Sequence, residues 1–217
     1  MNIKFTMMCK FNSILTFILI TTFNYCTPFF FRLPDKHKTV EIIKWTIQKT
    51  STISILGATN VNNFECGIKG YYQPDTIYCY EPNNINKMVT LKGDLRLNIF
   101  AFDCNKKMLT NDLRKTLKAV EYPTMIIRFL SLERSPVINN NKDFLKGLVE
   151  IELAGICRRF EINYSFLKTN TSCIQLNGGR TFTFADFKLI PPQKFAGLIK
   201  VKDLFAVNFQ LILEPVK

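Results

Sequence analysis

FLKGLVEIELAGICRRFEINYSF, residues 144–166, is the stretch that decides the fold class. Val149, Ile151 and Leu153 fall on one face of its first arm, with Glu150 and Glu152 opposite. Past Ala154-Gly155, Phe160, Ile162, Tyr164 and Phe166 alternate in the same way against Glu161 and Asn163. Side chains alternate across a strand with period two, so each arm reads as a half-buried strand. The Ala-Gly pair then reads as the turn of an antiparallel hairpin.

The same pattern recurs outward from the hairpin. Residues 90–102 place Leu91, Gly93, Leu95, Leu97 and Ile99 on one face and Lys92, Asp94, Arg96 and Asn98 on the other. Residues 40–49 alternate through Ile43, Trp45 and Ile47, residues 52–66 carry Ile53 and Ile55, and residues 124–131 follow Pro123. Toward the C-terminus a turn at Gly178-Gly179 leads into residues 180–184, and residues 197–201 and 206–213 form two final strands beyond Pro191-Pro192. Residues 68–88, rich in Asn, Pro and Tyr, read as a loop or irregular hairpin. One helix stands among the strands: Thr110 or Asn111 caps it and Asp112 complements its positive end. Leu113, Leu117 and Val120 recur at helical spacing before Tyr122-Pro123. Roughly eight or nine amphipathic strands, one helix and no βαβ alternation specify an all-β antiparallel barrel or sandwich. A barrel closed with about eight strands has an interior that side chains or one ligand can fill, and it leaves no exposed edge.

Composition bounds the function. A chain of 217 residues with 47% hydrophobic and 21% charged side chains suits one globular domain. The net charge is +12, yet the longest basic groupings are Lys106-Lys107 and Arg158-Arg159. That pattern points to a solvated basic surface, or to peripheral contact with anionic lipid heads, and away from nucleic acid. The single histidine, His37, precedes the strand-rich region and leaves no Ser-His or Cys-His pair. No two carboxylates stand out as an acid/base couple, so no enzyme, cofactor or metal site is expected.

Lys4 and Lys10 precede an apolar run at 11–23, and no acid occurs before Asp35. This is the shape of an export signal, shorter than the roughly 20 apolar residues of a membrane span. We therefore expect a signal peptide or lipoprotein signal at 1–26, a linker at 27–39 and the barrel domain at 40–217. Cys26 is a candidate for acylation, although Tyr25 sits where such a site takes a small residue. Five cysteines lie in the folded region: Cys66, Cys79, Cys104, Cys157 and Cys173. Five is odd, so at least one is free or pairs outside the chain. Cys66 and Cys104 both end apolar segments that suit neighbouring strands, and either a disulfide between them or buried free thiols fits.

Phrases spread from Trp45 to Leu213 resemble the YceI-like family of periplasmic barrel proteins. They are Trp45-Thr46-Ile47, the run from Thr59 through Asn63 to Cys66, Gly93, Phe102-Asp103-Cys104-Asn105, and the helix phrase Asn111-Asp112-Leu113 running into Glu121-Tyr122-Pro123. Gly147-Leu148-Val149, Leu153-Ala154-Gly155, Ala185-Asp186-Phe187 and Pro191-Pro192 continue the order. The resemblance implies a lipocalin-like barrel of about eight strands with one short helix near its rim. It also implies export to the periplasm, a long apolar chain such as a polyisoprenoid in the interior, and no catalytic set. The odd cysteine count, the basic charge and the Asn-rich insert between Cys66 and Met88 depart from the commoner members. In such a barrel the inward wall comprises Leu95, Leu97, Ile99, Ile151, Leu153, Ile162, Tyr164, Phe166, Phe182, Phe184, Phe209 and Leu211. Each is a candidate ligand contact, although an inward Leu or Phe taken singly is more often a plain core residue.

Overall fold

Backbone amides buried by an apolar face need partners, and in this chain they find them by closing a ring. The computed structural model describes residues 40–73, 75–84, 86–169 and 172–216. The signal expected at 1–26, with Cys26, and the linker expected at 27–39 fall outside the described residues. In chain order come β1 (Glu41–Ile47), β2 (Thr52–Thr59), β3 (Asn63–Lys69), β4 (Thr76–Glu81), β5 (Val89–Lys92), β6 (Asp94–Asn98), α1 (Lys107–Thr116), β7 (Thr124–Leu132), β8 (Asp143–Leu153), β9 (Ile156–Lys168), β10 (Ile174–Thr183), β11 (Gln193–Lys194) and β12 (Ile199–Val216).

Registers join several of these into longer staves. Ile47 faces Leu213 and Thr52 faces Gln210, so β1 and β2 together cover β12. β3 and β4 likewise cover β2 and β1, while β5 and β6 flank Gly93. Each stave pairs with the next in sequence, and Trp45 opposite Pro215 joins the first to the last. The result is an up-and-down barrel of 8 antiparallel strands with α1 across one end, as the sequence predicts. Closure leaves no long row of unpaired amides for another chain to join.

The seam is weakest where β3 and β6 diverge, and local chemistry holds it there. Gly67 and Asp103 exchange two backbone hydrogen bonds, at 2.9 and 3.0 Å. Beside them Cys66 and Cys104 form a disulfide, so the disulfide alternative holds for that pair, while Cys79, Cys157 and Cys173 are free. Ile99 and Phe102 are fully buried and fill this side of the barrel. Curvature has its own device. The ring of Phe64 lies over Gly57 on the neighbouring strand, and that of Phe209 over Gly178, so a Cβ at either glycine would collide with the ring. A glycine covered by an aromatic ring lets a strand coil tightly without leaving its backbone bare.

The structure corrects the sequence reading at four places. Residues 68–88 hold a ring strand, β4, whose alternation of Ile77 and Cys79 inward is too short to stand out among Asn, Pro and Tyr. Gly178-Gly179 is mid-strand in β10 and not a turn, because the glycines make room for Phe209. The two C-terminal strands are one, β12, with a bulge between Val201 and Phe205. The helix starts at Lys107 without a side-chain cap. Thr110 sits inside it, accepting from the Cys104 amide at 3.0 Å and donating to Asp103 at 3.1 Å. Val120 lies beyond the helix and is exposed, so it takes no part in the buried stripe.

Candidate functional site

Because inward side chains alternate along every stave, the interior is apolar at all levels; what differs with height is how full it is. At the end away from α1, Trp45, Tyr164 and Phe166 meet ring to ring, with centroids 6.2 and 6.3 Å apart, and Tyr164 reaches Phe209 at 6.0 Å. This aromatic layer forms a floor. Above it lies a cavity of about 80 Å³.

The wall is supplied by Ile55, Phe64, Met125, Ile127, Val149, Ile151, Leu153 and Ile162, and by Phe182, Phe184, Phe205, Val207 and Phe209. Leu109, Leu113 and Leu117 of the helix segment close the top with Phe187 and Pro192. Of the twelve expected interior residues, Ile151, Leu153, Ile162, Phe182, Phe184 and Phe209 are brought together on this wall. Leu95, Leu97, Ile99, Tyr164, Phe166 and Leu211 are elsewhere in the packed core, each no more than 2% exposed. The β5–β6 stave contributes nothing to the wall because Ile99, Phe102 and the disulfide loop occupy its side. Val149, Phe205 and the helix leucines line the cavity without having been named as ligand contacts. Leu113 and Leu117 had a signal, their helical spacing; which alternating residues meet empty space had none.

Polar groups are few at this wall, and each is engaged. Asp112 on α1 pairs with Lys194 on β11 at 2.7 Å, which latches the helix to the β11–β12 hairpin. Thr116 donates to the Asp112 carbonyl at 2.8 Å. Arg114 donates to the Phe100 carbonyl at 2.6 Å, tying the same helix to the segment after β6. Arg180 stands where the β9–β10 ladder stops, at Asn163 opposite Gly179. Its guanidinium donates to the Glu161 carbonyl at 2.8 Å and lies 5.2 and 5.8 Å from the rings of Phe160 and Phe182. It bridges β10 to β9 beyond the end of their ladder and is the one basic side chain lining the cavity among the described residues. No group of three His, Cys, Asp or Glu side chains is placed to hold a metal among the described residues.

The floor contains one unmet polar atom, the Tyr164 hydroxyl, which is buried with no hydrogen-bond partner. Burial pushes its ionisation above the ordinary phenol range. A buried hydroxyl without a partner costs about 1–3 kcal/mol, so Tyr164→Phe is expected to stabilise the fold by about 1 kcal/mol in urea denaturation at pH 7. The sign with pH follows from the raised value. The folded phenol stays protonated while the unfolded one ionises from about pH 10 upward. The native state therefore loses stability as pH rises past that point, and the loss is smaller in Tyr164→Phe than in the parent.

The fold and the site define an up-and-down barrel with a lidded apolar interior. Solved structures give it counterparts. Burkholderia cenocepacia BcnA matches with a TM-score of 0.56 at 14% identity, over 75% of this chain and 95% of that one. A polyisoprenoid binding domain from Saccharophagus degradans matches with a TM-score of 0.55 at 8% identity, over 80% and 99% of the two chains. The Campylobacter jejuni YCEI protein matches at a TM-score of 0.48 and 17% identity, over 69% and 85%. The chain thus has the barrel fold of BcnA and of that polyisoprenoid binding domain. No protein-family model matches the sequence, and no curated protein is similar to it. Among the described residues no helix is long and apolar enough to cross a membrane.

Proposed function

We propose that this chain is an exported, non-catalytic carrier that holds a long apolar molecule, of the isoprenoid or fatty-chain class, in the cavity under α1. The observation that carries the reading is the cavity itself, a space walled by hydrocarbon from seven of the staves and closed by a helix with leucines on its inner face. Hydrocarbon burial there supplies roughly 25 cal/mol per Å² of apolar surface removed from water. The engaged state of Asp112, Thr116 and Arg180 agrees with binding and offers no free acid, base or nucleophile.

At about 80 Å³ the cavity is narrow for a polyisoprenoid, and lifting α1 would widen it for a long chain. The latch allows this. The Asp112–Lys194 pair is partly exposed, with side chains 20% and 41% accessible, and such pairs hold by only about 0–1 kcal/mol. The chain enters from the helix end, and Arg180, between β9 and β10, receives its polar end.

A polyene fatty acid that fluoresces on leaving water tests the reading. Titration should saturate near one equivalent, and geranylgeraniol should displace the probe. A second reading, an interaction module whose barrel is filled by its own side chains, draws on the aromatic floor of Trp45, Tyr164 and Phe166. Failure of the probe to saturate would favour that second reading over the first.

A further inference from the structure

The helix end of the barrel carries a surface that ligand holding does not account for. Two turns there are locked to each other. The Asn60 amide nitrogen donates to the Leu198 carbonyl at 2.9 Å, and its carboxamide oxygen accepts from the Lys200 amide at 3.0 Å. Its backbone amide donates to the Lys200 carbonyl at 3.1 Å. Fixed on these turns, Val61, Phe195 and Leu198 point to solvent with 60%, 66% and 75% of their surfaces accessible. Ile190, 82% accessible, stands at the edge of a groove between the helix and the chain leading into β11. A turn built with Phe195 and Ala196 both in the left-handed region, at φ 51°, is a strained way to display a phenylalanine to water.

The charge around these side chains is predominantly basic. Residues 103–121 and 186–203 together hold nine Lys or Arg against five carboxylates, of which Asp112 pairs with Lys194, Asp103 accepts from the Thr110 hydroxyl, and Asp186 and Asp203 accept from backbone amides. Lys106, Lys107, Lys115, Lys118, Lys188, Lys200 and Lys202 are exposed. Rigid apolar tips inside a ring of lysines complement an anionic lipid surface: the tips enter the acyl boundary and the ammonium groups meet the phosphates. A protein partner would also take apolar tips, but a net excess of flexible lysines around them favours a fluid surface of negative heads over a single fixed complement.

We propose that this end of the barrel docks on an anionic bilayer, through Phe195, Leu198, Val61 and Ile190 with the surrounding lysines. Docking places the α1 lid and the cavity mouth against the membrane. It does not depend on the cavity being loaded, so its test is separate from the ligand test.

The test is flotation of the protein comprising residues 40–217 with vesicles of phosphatidylglycerol and phosphatidylcholine in equal parts, against vesicles of phosphatidylcholine alone, with size-exclusion chromatography alongside. The parent should float with the anionic vesicles and not with the neutral ones. The double variant Phe195→Ser/Leu198→Ser should bind at least about tenfold more weakly, since each inserted Phe or Leu carries roughly that much in transfer. Phe144→Ser, which removes an equally exposed ring on β8 at the far end, should float like the parent. Circular dichroism of each variant confirms folding. Equal flotation of the double variant, equal binding to both vesicles, or a dimer in solution that the double variant dissolves would each overturn the proposal.

Discussion

Replacing Cys66 and Cys104 together with alanine is expected to lower the unfolding free energy by about 4 kcal/mol, measured by urea denaturation under non-reducing conditions. The crosslink spans a sequence separation of 38 residues, and constraint of the unfolded chain over a loop of that length sets the estimate. The position adds to it. The disulfide closes the one side of the barrel where β3 and β6 do not pair, so its loss also frees Ile99 and Phe102 to move. Reducing agent should shift the parent to the stability of the double variant and leave the variant unchanged. Equal stability of the two proteins without reductant would show that the seam is held by packing alone.

The second large effect concerns the cavity. Val149 is buried on β8 and lines the empty space, so Val149→Phe puts a ring where the ligand would lie. We expect at least about a tenfold loss of affinity for the polyene probe, because the contact surface of the ligand is displaced. The cost in stability should stay under about 1 kcal/mol, since the added atoms enter a void instead of a filled core. Leu95→Ala makes the contrast. Leu95 is as apolar and as inward as Val149 but does not reach the cavity, so it should cost about 2–5 kcal/mol of stability and leave probe affinity within about twofold. Loss of stability without loss of affinity in Val149→Phe would mean the ligand lies elsewhere.

That contrast also shows what was legible in the sequence. The 144–166 hairpin gave strands, turn and inward faces correctly, because period-two alternation is dictated by the pleat and survives any context. Trp45 and Ile47, Leu95 and Leu97, and Phe182 are all buried as their alternation requires. What alternation cannot encode is height in the barrel. Leu97 and Ile151 have the same pattern, yet one is packed and the other faces open space, since that depends on where the Tyr164–Phe209 layer falls and on the fold-back of Ile99 and Phe102. Gly178-Gly179 misled because glycine pairs commonly mark turns, whereas here Gly178 makes room for the ring of Phe209 on the next stave. Thr110 misled similarly: its hydroxyl suits a cap, but the Cys104 amide reaches it first. The Asp112–Lys194 latch joins residues far apart in sequence and leaves no local trace.

The proposed role of the cavity under α1 is to hold an apolar chain. Its most direct test is native mass spectrometry of the protein purified without detergent from the cells that make it, followed by organic extraction and mass analysis of what is released. The parent should carry a near-stoichiometric isoprenoid or fatty species, and Val149→Phe should carry none. An empty parent that also refuses added lipid would contradict that role.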